Sequence, residues 1–174
     1  MKNPCKTGPL LYVEDDENDI FFVQMAFNKV GFGHLLRTAR SGPEAVDYLS
    51  GVGSYANSDL HPRPGLLLLD LNLPALSGLE VLQWVRAQPR FHSLPVVIFS
   101  ASIRPDDQRR ALQLGADDYL EKPSSPMKFL NVLGRLAEKW PALFAAGPSG
   151  LPARPPGQPG LLSSSPAARS VHHL

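Results

Sequence analysis

Three short apolar runs, far apart in the chain, stop abruptly at charged residues. Leu10 to Val13 stops at Glu14-Asp15-Asp16, Leu66 to Leu69 stops at Asp70, and Tyr119-Leu120 stops at Glu121-Lys122-Pro123. A strand that is apolar at every position has no solvent face, so it belongs inside a parallel sheet covered on both sides by helices. Parallel strands share one carboxyl edge, and ligands bind in the crevice outside that edge. The pattern therefore gathers several carboxylates and one lysine on a single rim.

Between these runs the apolar period becomes helical. Ile20, Val23, Phe27 and Val30 share one face, with Asn18 or Asp19 as cap and Gly31 as stop. Leu35 to Ala39 reads as a second strand. Ser41-Gly42-Pro43-Glu44 opens a helix with proline in its first turn, and Val46 and Leu49 supply its buried face. Gly51 to Gly65 is rich in Gly, Ser, Asn and Pro and reads as a long surface loop. Ser77 and Glu80 make a capping-box pair ahead of Leu79, Leu82, Trp84 and Val85. Pro95 precedes the apolar strand Val96 to Phe99. Arg104-Pro105-Asp106-Asp107 then starts a helix with acids at its positive end, closing near Gly115. Pro126 opens a last helix carrying Phe129, Val132, Leu133, Leu136 and Trp140 at helical spacing. Strand then helix, five times, specifies an α/β doubly wound parallel sheet with five helices spread over both faces. Residues 1–7 read as an N-terminal arm and 8–145 as one domain. Residues 146–174, dominated by Pro, Gly, Ser and Ala, read as a disordered tail.

Composition narrows the function by exclusion. A formal net charge of +1 offers no basic footprint for nucleic acid or a membrane surface. No apolar run approaches the roughly 20 residues that span a bilayer, and Met1 to Pro9 lacks the apolar core of a signal peptide. The single cysteine, Cys5, has no internal partner. The expectation is a cytoplasmic protein.

At the rim, Glu14 and Asp15 would leave the first strand and Asp70 the third, next to each other at the switch point of the sheet. Two carboxylates about 4 Å apart repel by roughly 4 kcal/mol at an effective dielectric near 20. A hard cation with oxygen ligands removes that penalty, and magnesium fits best because it takes one or two carboxylates and accepts phosphate oxygens. Asp70 is the candidate nucleophile for an aspartyl-phosphate. Ser100 can donate to a phosphoryl oxygen, and Lys122 supplies a point charge. Since Lys122 precedes Pro123, a cis bond there would turn the lysine back over the rim.

Taken together, Val13-Glu14-Asp15, Leu69-Asp70-Leu71-Asn72-Leu73-Pro74, Ser77-Gly78-Leu79-Glu80, Phe99-Ser100-Ala101 and Tyr119-Leu120-Glu121-Lys122-Pro123 resemble the receiver domain of bacterial two-component response regulators. The resemblance spans about residues 8 to 142. It implies a flavodoxin-like sheet of order 2-1-3-4-5 and a single-domain phosphoacceptor signalling protein. Asp70 would be phosphorylated by a phosphohistidine on a sensor histidine kinase. Asp15, Asp70 and the Asn72 backbone carbonyl would ligate magnesium, with Glu14 acting through a metal-bound water. Ser100 and Lys122 match the switch hydroxyl and the phosphate-binding lysine, and Tyr119 matches the aromatic switch position. Asp16 stands where many relatives carry Asn and receives no ligand role. Glu14 to Asp19, the loop 51–65 and Leu71-Asn72-Leu73-Pro74 are similar to the small regulators paired with bacterial phytochromes, which implies a light-regulated kinase.

Two other readings compete. A receiver-like interaction module that takes no phosphate would not need the intact acid, hydroxyl and lysine set. An aspartate-nucleophile phosphatase usually carries a second acid two residues after the nucleophile, where this chain has Asn72. Finally, Phe129, Leu133, Leu136 and Trp140 look like more apolar surface than one domain can cover, so they are the expected contacts of a homodimer.

Overall fold

The structure, a computed structural model, describes residues 8–145. The apolar runs form β1 (Leu10–Val13), β3 (Leu66–Leu69) and β4 (Val96–Ser100), each buried along its whole length. β2 (Leu36–Ala39) and β5 (Asp118–Glu121) are half-exposed and take the two edges. All neighbours pair in parallel, in the order β2-β1-β3-β4-β5 expected from the sequence. Alternation along the strands divides the core. Leu11, Val13, Leu67, Leu69 and Ile98 meet α2 (Gly42–Ser50) and α3 (Gly78–Ala87). Leu10, Tyr12, Leu66, Leu68 and Phe99 meet α1 (Glu17–Lys29) and α5 (Phe129–Lys139). α4 (Pro105–Gln113) buries only Ala111.

Several local expectations change. The cap of α1 is Asp16, whose carboxylate accepts from the Asn18 and Asp19 amides, so the helix starts earlier than Asn18 or Asp19 would set it. On α2 it is Ala45, Tyr48 and Leu49 that are buried, while Val46 is half-exposed. The loop 51–65 contains a 3₁₀ turn, Gly53–Tyr55, and folds back through Tyr48, Tyr55 and His61. Among the described residues six α-helices form instead of five. Trp140 leaves helical geometry at φ −127° and ψ 63°, and Pro141 at once restarts α6 (Pro141–Phe144).

That region also takes three of the four expected dimer contacts out of reach. Phe129, Leu133 and Leu136 are buried in the core of the same chain, against α1 and the sheet. α6 folds back so that Phe144 packs on Phe27 and Phe32, and half-buried Trp140 joins the same cluster. The stripe is wide because α5 covers both the sheet and α1. The expectations for residues 1–7 and 146–174 fall outside the described residues.

Ala75 carries backbone strain. It lies in the loop between β3 and α3 and has φ 65°. A Cβ in the left-handed region is disfavoured by roughly 1–2 kcal/mol, and glycine removes that penalty while making the unfolded chain freer. Ala75→Gly is expected to leave the fold unchanged and to stabilise it by up to about 1 kcal/mol, seen as a rise of a few degrees in melting temperature. A lower melting temperature would mean that the Ala75 methyl group makes packing contacts worth more than the strain.

Candidate functional site

The site is assembled by backbone bonds that continue the sheet one residue past its strands. Glu14 N–H donates to the Ala39 carbonyl at 2.9 Å, Asp70 N–H to Val13 at 3.1 Å, and Lys122 N–H to Ser100 at 2.9 Å. Each functional side chain is thus held in register with its neighbour on the carboxyl rim. Carboxylate oxygens of Glu14, Asp15 and Asp70 lie within 4.8 Å of one another. Glu14 and Asp70 are buried, whereas Asp15 faces solvent. Asn72 is exposed on the loop leaving β3.

Lys122 reaches into this cluster. Its Nζ lies 2.5 Å from Glu14 Oε2, 2.9 Å from Asp19 Oδ2 and 3.5 Å from Asp70 Oδ2. No cis peptide bond occurs among the described residues. Alignment with the end of β4, through the Ser100 carbonyl, carries the lysine to the rim without the cis bond that Pro123 makes possible. Burial disfavours the Lys122 charge, but hydrogen bonds to Glu14 and Asp19 and the charge of Asp70 outweigh it, so the ammonium is held above its ordinary pKa. Burial pushes the Glu14 carboxyl up, against the pull of Lys122.

Two oxygens of Asp70 are distinguished by their surroundings. Oδ1 accepts from the Leu71 amide at 2.8 Å, and Oδ2 faces Lys122. Ser100 closes β4 with no exposure, its Oγ accepting from the Ser102 amide at 3.3 Å. The Tyr119 hydroxyl donates to the Ser102 carbonyl at 2.8 Å, so its ring is turned toward the β4–α4 loop. Geometry brings Glu14, Asp15, Asp70 and Lys122 together on the rim, with Ser100 at the end of the neighbouring strand and Tyr119 tied to the Ser102 carbonyl beside it.

Sequence reasoning missed two members. Asp19, which the sequence offers only as a cap, is an ion-pair partner of Lys122. Tyr12 reads in the sequence only as part of an apolar strand. It donates its hydroxyl to Glu14 Oε2 at 2.8 Å while fully buried. Period-two alternation was the available signal, because it puts Tyr12 and Glu14 on the same face of β1.

A hard, all-oxygen donor set with two buried carboxylates and one exposed one fits a small divalent cation, with an open side for water or phosphate. The family description "Response regulator receiver domain" matches residues 10–133. The chain belongs to the response regulator receiver family. It is 34% identical over 138 residues to the response regulator Rcp1 of Synechocystis sp., covering 79% of this chain and 90% of Rcp1. Among solved structures it is similar to the phosphorylated cyanobacterial phytochrome response regulator RcpA, with 35% identity and TM-score 0.71, over 82% of this chain and 99% of RcpA. It is also similar to the manganese-bound form of Rcp1, with 32% identity and TM-score 0.68, over 76% of this chain and 94% of that one. Receivers are in general signalling proteins that bind a divalent metal, and a histidine kinase partner goes with the family. Among the described residues no helix is long and apolar enough to cross a membrane.

Proposed function

We propose that this receiver is a phosphoacceptor switch in which Asp70 takes a phosphoryl group from a phosphohistidine of a sensor histidine kinase, with magnesium. The observation that carries the reading is Lys122, held on the rim within 3.5 Å of Asp70 by two further carboxylates. An Asp70 carboxylate oxygen forms the new bond to phosphorus as the bond from phosphorus to the imidazole nitrogen breaks, and the electron pair leaves with the imidazole. Asp15, Asp70 and the Asn72 carbonyl would hold the magnesium directly, and Glu14 through water. The metal would supply charge neutralisation for the transferring group. Lys122 and the Ser100 hydroxyl would then take phosphoryl oxygens, and Tyr119 would follow Ser100 through the Ser102 carbonyl.

The relatives Rcp1 and RcpA support a finer reading, in which the kinase is a phytochrome. Asp15→Asn tests the metal part. It removes a charged ligand that makes no core contact, so magnesium binding by calorimetry should weaken about tenfold or more with an unchanged melting temperature. An unchanged titration would remove Asp15 from the ligand set.

Homodimerisation stays within the proposal on a different surface. α4 is almost entirely exposed, and Leu112 on it and Ile103 just before it are large apolar side chains left to solvent, 45% and 75% exposed. Light scattering at tens of micromolar is expected to give a dimer mass that Leu112→Glu lowers. A monomer mass with and without phosphodonor would rule this out.

A further inference from the structure

We propose that Tyr12 is a positioning residue of the metal site, acting through Glu14; the proposal rests on the phosphoacceptor reading above. The core does not need a phenol at this place. Leu10, Leu11 and Val13 complete the same strand with purely apolar side chains, and Tyr12 is fully buried among them. Its ring lies against Phe99 with centroids 5.9 Å apart. Phenylalanine would fill that space as well. The hydroxyl must find an acceptor once buried, and the acceptor it finds is a functional carboxylate, Glu14 Oε2 at 2.8 Å.

Glu14 is held by three donors. The Asp16 amide binds Oε1 at 3.1 Å, while Tyr12 and Lys122 share Oε2. These donors differ in how firmly they are anchored. The Asp16 amide and the Tyr12 ring are fixed by backbone and core. Lys122 is a long flexible chain that also touches Asp19 and Asp70. When Lys122 turns to a phosphoryl oxygen on Asp70, Oε2 keeps only the Tyr12 hydroxyl. Tyr12 then prevents the buried carboxylate from rotating away from its place beside Asp15 and Asp70. The phenol therefore makes Glu14 a fixed part of the metal shell whether or not the lysine is engaged elsewhere.

Tyr12→Phe in the full chain keeps the ring contacts and removes only the hydroxyl. Manganese titration followed by the signal of the free ion is expected to give about tenfold weaker binding, the size typical of losing a partner of a metal-ligating group. The same substitution in a Glu14→Gln background should change binding little, because the two residues act as one unit. In wild type, with all tyrosines labelled with carbon-13, magnesium should shift a buried tyrosine resonance that Tyr12→Phe deletes from the four in the chain. Wild-type affinity in Tyr12→Phe would overturn the proposal. So would equal weakening in both backgrounds, which would mean packing and not Glu14, or a Tyr12 resonance that ignores magnesium. A wild-type chain that binds no metal would instead remove the phosphoacceptor reading itself.

Discussion

Asp70→Asn is expected to take up no phosphoryl group from acetyl phosphate and magnesium, while the wild-type chain forms a hydroxylamine-sensitive acyl phosphate. The amide oxygen carries no full negative charge and its nitrogen lone pair is delocalised, so neither atom is a competent nucleophile. The change is nearly isosteric, and the Leu71 amide can still meet an oxygen at the Oδ1 position. The substitution also removes one member of a crowded set of carboxylates. The variant should therefore fold, and its melting temperature should match or exceed that of wild type. Intact-mass measurement after incubation reads the result directly. Equal phosphate incorporation in the two chains would remove Asp70 as acceptor, and no incorporation in wild type would revive the interaction-module reading.

How far the sequence alone carries depends on what each signal measures. β1, β3 and β4 were legible because every residue in them is apolar, and only a doubly covered parallel sheet accepts such strands. The rim followed, since the residues after those strands had to share one edge. Side-chain reach was not legible. Asp19 lies one turn into α1, and nothing in its spacing reveals that Lys122 will arrive from the far end of the chain. Nor was the allocation of apolar surface. Phe129, Leu133 and Leu136 looked like an excess because the sequence does not say that α5 must cover α1 as well as the sheet, or that α6 returns Phe144 to Phe27. Helical periodicity identifies a buried stripe; it does not say which surface buries it. Tyr12 fell between categories. In a strand defined by hydrophobicity its ring is sufficient reason for its presence, and hydropathy carries no signal for its hydroxyl.

Gly78→Ala is expected to damage both the fold and the rim, because Gly78 sits where the start of α3 touches the backbone of Asp70, the proposed phosphoacceptor. A Cβ built at this residue would lie 1.9 Å from the Asp70 carbonyl oxygen, 2.8 Å from its carbonyl carbon and 2.9 Å from Leu71 Cα. All three are main-chain atoms, so no rotamer change relieves the contact. The Gly78 amide also donates to the Leu71 carbonyl at 2.9 Å, and the Ser77–Glu80 capping box fixes the helix end just before it. Either α3 backs away and loses these bonds, or the Asp70–Leu71 segment moves and disturbs the bond from Asp70 N–H to Val13. Overpacking without an escape destabilises by roughly 1–3 kcal/mol or more, which for a domain of this size lowers the melting temperature by about 5–10 °C. A shift of about 1 Å at the nucleophile can lower phosphotransfer roughly 100-fold even where the chain is still folded. Gly53→Ala supplies the contrast. Gly53 has φ 59° with nothing within 4 Å of the added methyl group, so only left-handed strain of about 1 kcal/mol is expected, with phosphorylation intact. If Gly78→Ala behaved like Gly53→Ala, the close approach of α3 to Asp70 would not be what holds the acceptor in place.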